Sequence, residues 1–442
     1  MSIEYRFLEP LDVLFLRGNK LFGDPGSYGE SLIPPWPSVA AGALRSRMLA
    51  DDEVKLTDFA KGEVGHPTLG KLAGKTPAEP GTFTVTAFHL ARRYTDGRVE
   101  LLIQPPADLI ISERENGVAA ARSLTPMPLG DGLACSAPLP LLPVLAEDSR
   151  SKPASGYWLT ESGWRKYLAG ETPNDESDLV KSGDLWAIDP RVGVGLDVST
   201  RRAADGRLFS VQAVAMTKQG NRIRIGKQSG KPIQSDYDVG FLVGVAGADL
   251  PQDGTLRLGG DGRAAAVQAV DLRTPEPNYE AIAAARRCRL VLTTPGIFSS
   301  PLPLGQIGRE PIWSGEARPE GSGQDSPETL GPGVRAGWLP TGISQTTDST
   351  IQFDLHGVRG KLVCAAVPRA EIVSGWDLAK WQPKAAQRAA PAGSVYWLED
   401  LDTTAEALRK LAEYGLWPNA PENTARRAEG FNRCALAAWS LP

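Results

Sequence analysis

Tyr5-Arg6-Phe7-Leu8-Glu9-Pro10-Leu11-Asp12-Val13-Leu14-Phe15-Leu16 is dense in aromatic and branched apolar residues, and it reads as a strand from the first residues onward. A polar turn with two cations follows at Arg17-Gly18-Asn19-Lys20, and Pro34-Pro35-Trp36-Pro37-Ser38 then leads into a helix. Ser38 stands where an N-cap belongs for a helix over 39–50, with Ala40, Leu44 and Met48 spaced to form its buried stripe. Arg45 and Arg47 flank that stripe and reach past the rim of the core on their long stems. A strand whose exit loop and following helix carry Arg and Lys either grips a phosphate backbone or is a solvated edge. These residues alone leave both readings open.

The 442 residues give room for two or three domains with cores of their own. Neither a secretory leader nor an apolar run long enough to cross a bilayer is evident, so a cytoplasmic protein is expected. Cys135, Cys288, Cys364 and Cys434 form no C-x-x-C pair and read as reduced, buried apolar residues. The histidines, His66, His89 and His356, are equally scattered, so no metal site is expected. A net charge of −4 and a pI near 5.7 argue against a free-standing nucleic-acid binder and favour a subunit that shares phosphate contacts with partners.

Further along, 82–94 and 98–103 read as a strand pair around the Asp96-Gly97 turn, and Thr160 as the cap of a helix over 161–169. Two strands, 189–198 and 208–214, enclose a loop with Arg201, Arg202 and Arg207 that reads as a protruding hairpin. The apolar run 239–246 is a central strand closing the first domain. Residues 271–285 read as a linker. Strands at 289–294, 361–373, 394–399 and 432–439 follow, with a helix at 404–414. With the irregular stretch before 361 standing in for a first helix, this order is close to βαββαβ. Within that stretch, 314–333 lacks apolar periodicity and is expected to be a mobile loop.

Familiar catalytic signatures are missing. Gly259-Gly260-Asp261-Gly262 precedes no helix in dinucleotide register and reads as a tight turn, while Gly74-Lys75-Thr76 lacks the first P-loop glycine and is followed by Pro77. No Gly-x-Ser-x-Gly elbow exists, and Asp189 and Asp197 form no acid–base pair.

Leu8–Arg17 together with Pro34–Ser38 and Ala41-Gly42-Ala43-Leu44-Arg45 resembles the start of the third subunit of the type III-B CRISPR effector, the Cmr complex, a family of the RAMP superfamily. Four later segments agree in order: 191–197 with Gly206-Arg207-Leu208-Phe209; Leu258–Arg263; Ser374-Gly375-Trp376-Asp377-Leu378 leading to Pro391-Ala392-Gly393-Ser394-Val395-Tyr396; and Gly430-Phe431-Asn432-Arg433. The resemblance implies an α+β chain of two ferredoxin-like (RRM-like) βαββαβ domains with long loop and β-hairpin insertions, at 1–270, with the hairpin near 189–215, and at 286–442. It implies a subunit without a nuclease centre or cofactor. Such a subunit holds the 5′ handle of a CRISPR RNA, docks on the large polymerase-like subunit beside the backbone RAMP subunits, and meets target RNA only indirectly.

An unpaired handle needs cations for phosphates and aromatic faces for bases. The candidate cations are Arg17, Lys20, Arg45, Arg47, Arg201, Arg202, Arg426, Arg427 and Arg433, and the candidate stacking residues are Trp36 and Phe431. Trp36 reads first as a staple on the helix N-terminus, and Arg201-Arg202 equally as a solvated hairpin tip. The resemblance adds a ligand loop before the last strand, with Gly430 and Asn432. That loop departs from the superfamily's glycine-rich pattern, since its single glycine sits among Arg426, Arg427 and Arg433. Two alternatives stand beside RNA capping: an endoribonuclease using a histidine base, and a protein adaptor without RNA contact.

Overall fold

The computed structural model describes residues 2–440, apart from 19–27, 74–75, 114–118, 131–138, 147–151, 198, 221–234, 299–338, 346–349, 378–379 and 420–422. Lys20, Cys135 and the expected loop at 314–333 lie outside the described residues. The principal elements of the first part are β1 (Ile3–Pro10), α1 (Pro37–Asp51), β2 (Thr84–Tyr94), β3 (Val99–Leu102), α2 (Glu161–Leu168), β4 (Trp186–Leu196), β5 (Ala203–Met216), β6 (Tyr237–Ala246), β7 (Thr255–Arg257) and β8 (Ala264–Val270). The second part holds α3 (Tyr279–Ala285), β9 (Arg287–Leu292), β10 (Ile343–Gln345), β11 (Ile351–Leu355), β12 (Val358–Ala366), β13 (Val395–Asp402), α4 (Ala405–Tyr414), α5 (Thr424–Ala428) and β14 (Cys434–Ala438).

Two six-stranded antiparallel sheets carry the molecule, in the orders β7-β8-β1-β6-β2-β3 and β10-β11-β12-β13-β9-β14. Each buries both faces. On β1, Leu8 points to a core shared with Ala40, Leu44 and Met48 of α1, while its neighbour Phe7 points to the opposite face. In the second sheet, Leu290 and Leu398 face Ile282 of α3 and Leu408 and Leu411 of α4. Val291 and Trp397 face the other way, into the same cluster as Phe7 and Leu242. The result is four layers: helix, sheet, sheet, helix. The central core between the sheets explains why β6 reads as a continuous apolar run rather than an alternating one. Burying a side chain such as Leu242 or Phe7 there stabilises the fold by about 1.5–3 kcal/mol.

Helix α2 enters this central layer with Trp164, Tyr167 and Leu168, and brings a polar knot with it. Arg289 on β9 donates to Asp108 at 2.9 Å, to the Tyr167 carbonyl at 2.9 Å and to the Ala438 carbonyl at 3.1 Å. The Tyr167 hydroxyl donates to the other Asp108 oxygen at 2.8 Å, and its ring lies 4.1 Å beneath the guanidinium. Desolvation pushes the Asp108 carboxyl upward and Arg289 pulls it back. A charge pair at this depth persists only because its donors and acceptors are matched.

Capping chemistry sets most of the helix starts. Thr160 and Thr404 accept from the Gly163 and Ala407 amides at 3.3 and 3.2 Å. Three expectations are corrected here. Helix α1 begins one residue before Ser38, with Pro37 in the first turn and Trp36 at the cap position, because proline's fixed φ suits a first turn that needs no N–H partner. The stretch 271–285 is not all linker, since Asn278 caps α3 by accepting from the Ala281 amide at 2.9 Å. The opening strand also ends at Pro10; 11–17 continues without a ladder, through isolated bridges from Leu14 to Val214 and from Arg17 to Ser31.

Strands β4 and β5 form the protruding hairpin, anchored at its base where Val211 and Ala213 pack on Val13 and Phe15. One of its faces is bare apolar surface: Val192, Val194, Leu196 and Leu208 are 70%, 45%, 57% and 59% exposed. On the other face Phe209 lies against Gly193, where a Cβ would meet its ring at 2.4 Å.

Candidate nucleic-acid interface

A groove of about 520 Å³ runs between α1 and the segment 374–384. Its floor is the exposed side of α1, where Gly42 has open space over its Cα and Ser38, Arg45 and Ser46 line the wall. Three cations reach it. Arg17 donates to Asp261 at 3.0 Å and keeps 40% of its side chain exposed. Arg45 is held by the Leu69 carbonyl at 3.4 Å; burial lowers its pKa, opposed by Glu429. Lys384 pairs with Glu429 at 2.7 Å.

The far wall is a strap of Ser374–Asp377 and Lys384, closed by the Lys384 amide donating to Gly375 O at 2.8 Å and by the Ser374 hydroxyl donating to Lys384 O at 2.6 Å. At its tip Trp376 and Trp381 stand edge to face at 5.8 Å, 44% and 74% exposed. Large aromatic faces left in water beside cations match what unpaired bases stack on. Neither tryptophan was among the candidates from sequence, although Trp376 lies in one of the segments that carry the resemblance. Two tryptophans five residues apart, with Gly375 and Pro383 beside them, were the available signal.

The candidate residues divide. Arg17, Trp36 and Arg45 line the groove, although Trp36 is buried among Ile297, Val373 and Trp417, with its indole N–H on Glu371 at 3.3 Å; it stacks on protein, at the root of α1. Arg47 is turned aside, bound to Asp51 at 2.7 Å and to Thr255 O at 2.6 Å. Arg201 and Arg202 sit exposed at the hairpin tip, where Asp197 accepts from the Ser199 and Thr200 amides at 3.0 and 2.7 Å. Those bonds, with the two hydroxyls, hold the Asp197 carboxyl down at about 2. The groove connects to the hairpin through Ser31, which bridges Arg17 and whose hydroxyl donates to Gln212 O at 2.7 Å.

The loop before the last strand is a joint inside the protein. Arg426 is buried, donating to Gln387 at 3.0 Å, Glu429 at 2.9 Å and the Ser374 carbonyl at 3.0 Å, and so braces the strap from beneath. Phe431 is fully buried under that guanidinium, and the Asn432 side chain bonds Ile297 through both its oxygen, at 2.6 Å, and its nitrogen, at 3.0 Å. Gly430 has φ +89°, and a Cβ on it would sit 2.8 Å from the Val85 side chain of the first sheet. Arg433 is buried and donates to the Val85 carbonyl at 3.1 Å and the Glu413 carbonyl at 2.7 Å; desolvation lowers its pKa to about 10. Burial leaves Arg426, Phe431 and Asn432 no side-chain surface to offer a ligand, and their charge and aromaticity serve packing instead. Arg427 alone keeps a partly exposed side chain, 6.0 Å from the Tyr414 ring.

No histidine lines the groove among the described residues. His66 faces Asp52 at 2.7 Å, His89 is pushed down to about 4 by desolvation, and His356 packs on Tyr414 at 5.5 Å. Among the described residues no group of acids, histidines and cysteines is placed to hold a metal, and no helix is long and apolar enough to cross a membrane.

Chains of two cryo-EM structures are similar to this one: type III-B Cmr-beta bound to cognate target RNA and AMPPnP, and the same assembly bound to cognate target RNA. Both show 13% identity and a TM-score of 0.41 over 97% of this chain, covering 93% and 96% of theirs. No curated protein matches. A family model described as CRISPR-associated protein (Cas_Cmr3) matches residues 6–439, nearly the entire chain, which therefore belongs to that family, the third subunit of the type III-B CRISPR effector.

Proposed function

We propose that this chain is a non-catalytic RNA-binding subunit that holds the 5′ handle of the CRISPR RNA in the groove between α1 and the 374–384 strap. The observation that carries this reading is the meeting of Arg17, Arg45 and Lys384 with the exposed Trp376 on one cleft, with Trp381 edge to face beside it. The cations neutralise handle phosphates and the indoles receive splayed bases. Arg201 and Arg202 extend the path along the hairpin. The hairpin's bare apolar face, Val192 to Leu208, is where a neighbouring backbone subunit docks, and the large polymerase-like subunit completes the site. We read the fold as two ferredoxin-like domains, 1–270 and 286–442, in a cytoplasmic ribonucleoprotein. Counting only the core strands, both sheets run fourth-first-third-second, as β8-β1-β6-β2 and β14-β9-β13-β12. The first has a helix between its first and second strands (α1), and the second a helix between its third and fourth (α4).

Titration of handle RNA into the chain at several salt concentrations tests this. Trp381→Ala should weaken binding by about 1–3 kcal/mol, and Arg45→Ala should lower the salt slope by about 1. Unchanged affinity and slope in both variants would remove the groove from the RNA path.

A further inference from the structure

A second cleft, outside the groove, is built like an anion site. It has a volume of about 280 Å³ and lies where the end of the first sheet meets α4 and α5. Arg433 and Arg427 line it from one side, Thr82, Thr84 and Thr86 from the other. Three observations set it apart. First, Arg433 is a buried guanidinium whose protein acceptors are the neutral Val85 and Glu413 carbonyls. Among the described residues neither it nor Arg427 forms an ion pair with a carboxylate, and Arg427 adds to the downward push on Arg433 rather than relieving it. Second, the β2–β6 ladder skips one residue: Ala87 pairs with Gly244 and Val85 with Val245, so Thr86 is an inserted bulge residue. Bulges re-aim side chains. Third, the Thr86 hydroxyl is buried and has no hydrogen-bond partner. A buried guanidinium bonded only to neutral carbonyls and a buried hydroxyl without a partner each cost stability, and one tetrahedral anion relieves both. Glu413 also lines the cleft and pulls Arg433 the other way, more weakly than Arg427 pushes.

We propose that this inter-sheet cleft binds a phosphate monoester, carried on a free mononucleotide or on the end of an RNA, between Arg427, Arg433 and the Thr86 hydroxyl. The site shares no residue with the groove and does not depend on the groove reading. Calorimetric titration of the full chain with inorganic phosphate, AMP, and a short RNA bearing either a 5′-phosphate or a 5′-hydroxyl tests it. Phosphate or AMP should bind and raise the melting temperature. Arg427→Ala, a partly exposed position, should weaken binding about 10–100-fold without lowering the unliganded melting temperature. Thr86→Val should weaken it several-fold while leaving the unliganded chain as stable or more so. Glu413→Gln should tighten it. Stronger binding of phosphorylated RNA than of AMP assigns the phosphate to an RNA end; equal or weaker binding assigns it to a free nucleotide. No binding of any phosphate probe overturns the proposal, as does equal binding by wild type, Arg427→Ala and Thr86→Val. Trp381→Ala should leave phosphate binding unchanged, which separates failure here from failure of the groove.

Discussion

Replacing Asp108 by alanine removes the acceptor on which the layer between the sheets depends. Its side chain is 0% exposed and that of Arg289 is 7% exposed, so water replaces nothing that is lost. The Tyr167 hydroxyl, bound at 2.8 Å, is left without its acceptor, a cost of about 1–3 kcal/mol. Arg289 keeps two carbonyls and the Tyr167 ring but loses the carboxylate it pairs with. Removing one partner of a buried pair costs about 3–5 kcal/mol, and the remaining acceptors place this case toward the lower end. Replacing both groups with apolar ones, Asp108→Leu with Arg289→Met, should recover much of the loss, so the two positions couple by about 2 kcal/mol or more. Urea unfolding followed by tryptophan fluorescence measures all four corners of the cycle, because Trp164 and Trp397 sit in the same core. A loss below about 1 kcal/mol for Asp108→Ala, or additive single and double variants, would refute the view that the pair is a matched buried unit.

Two further outcomes are expected. Gly430→Ala should destabilise the chain by about 1–3 kcal/mol, since its φ of +89° is strained for alanine and the new Cβ meets Val85 at 2.8 Å; a melting temperature equal to wild type would contradict this. The tip turn of the hairpin should loosen in acid. Asp197 titrates at about 2 in the fold against an ordinary value of 3.8, so its contribution is fully present above about pH 4 and disappears as pH falls through 2. Hydrogen-exchange protection of the Ser199 and Thr200 amides should fall over that window, and Asp197→Ala should show the same low protection at neutral pH.

Local chemistry was well written in the sequence. Thr160 announced its helix because a cap needs only its own neighbours, and Asp96-Gly97 announced its turn because glycine supplies the positive φ of 85° found there. Asn278 carried an equally local signal before α3, masked by the prolines at 275 and 277 that made the stretch look like linker. The groove was half legible: Arg17 and Arg45 follow from the opening strand and helix, whereas Trp376 and Lys384 join them from more than 300 residues away. The terminal loop misled because charge in a sequence says nothing about burial. Arg426 finds Gln387 and Ser374, 39 and 52 residues distant, and only that long-range satisfaction turns a basic cluster into a core strut.

The shared core between the sheets has a consequence for cutting the chain. A break between Val270 and Tyr279 would leave each half with one face sealed by its own helices and the other, lined by Phe7 and Leu242 or by Val291 and Trp397, open to water. Such fragments should be insoluble when made singly and recombine when made together, so this chain is suited to split-reporter complementation, with Gly430 and Arg433 as the latch.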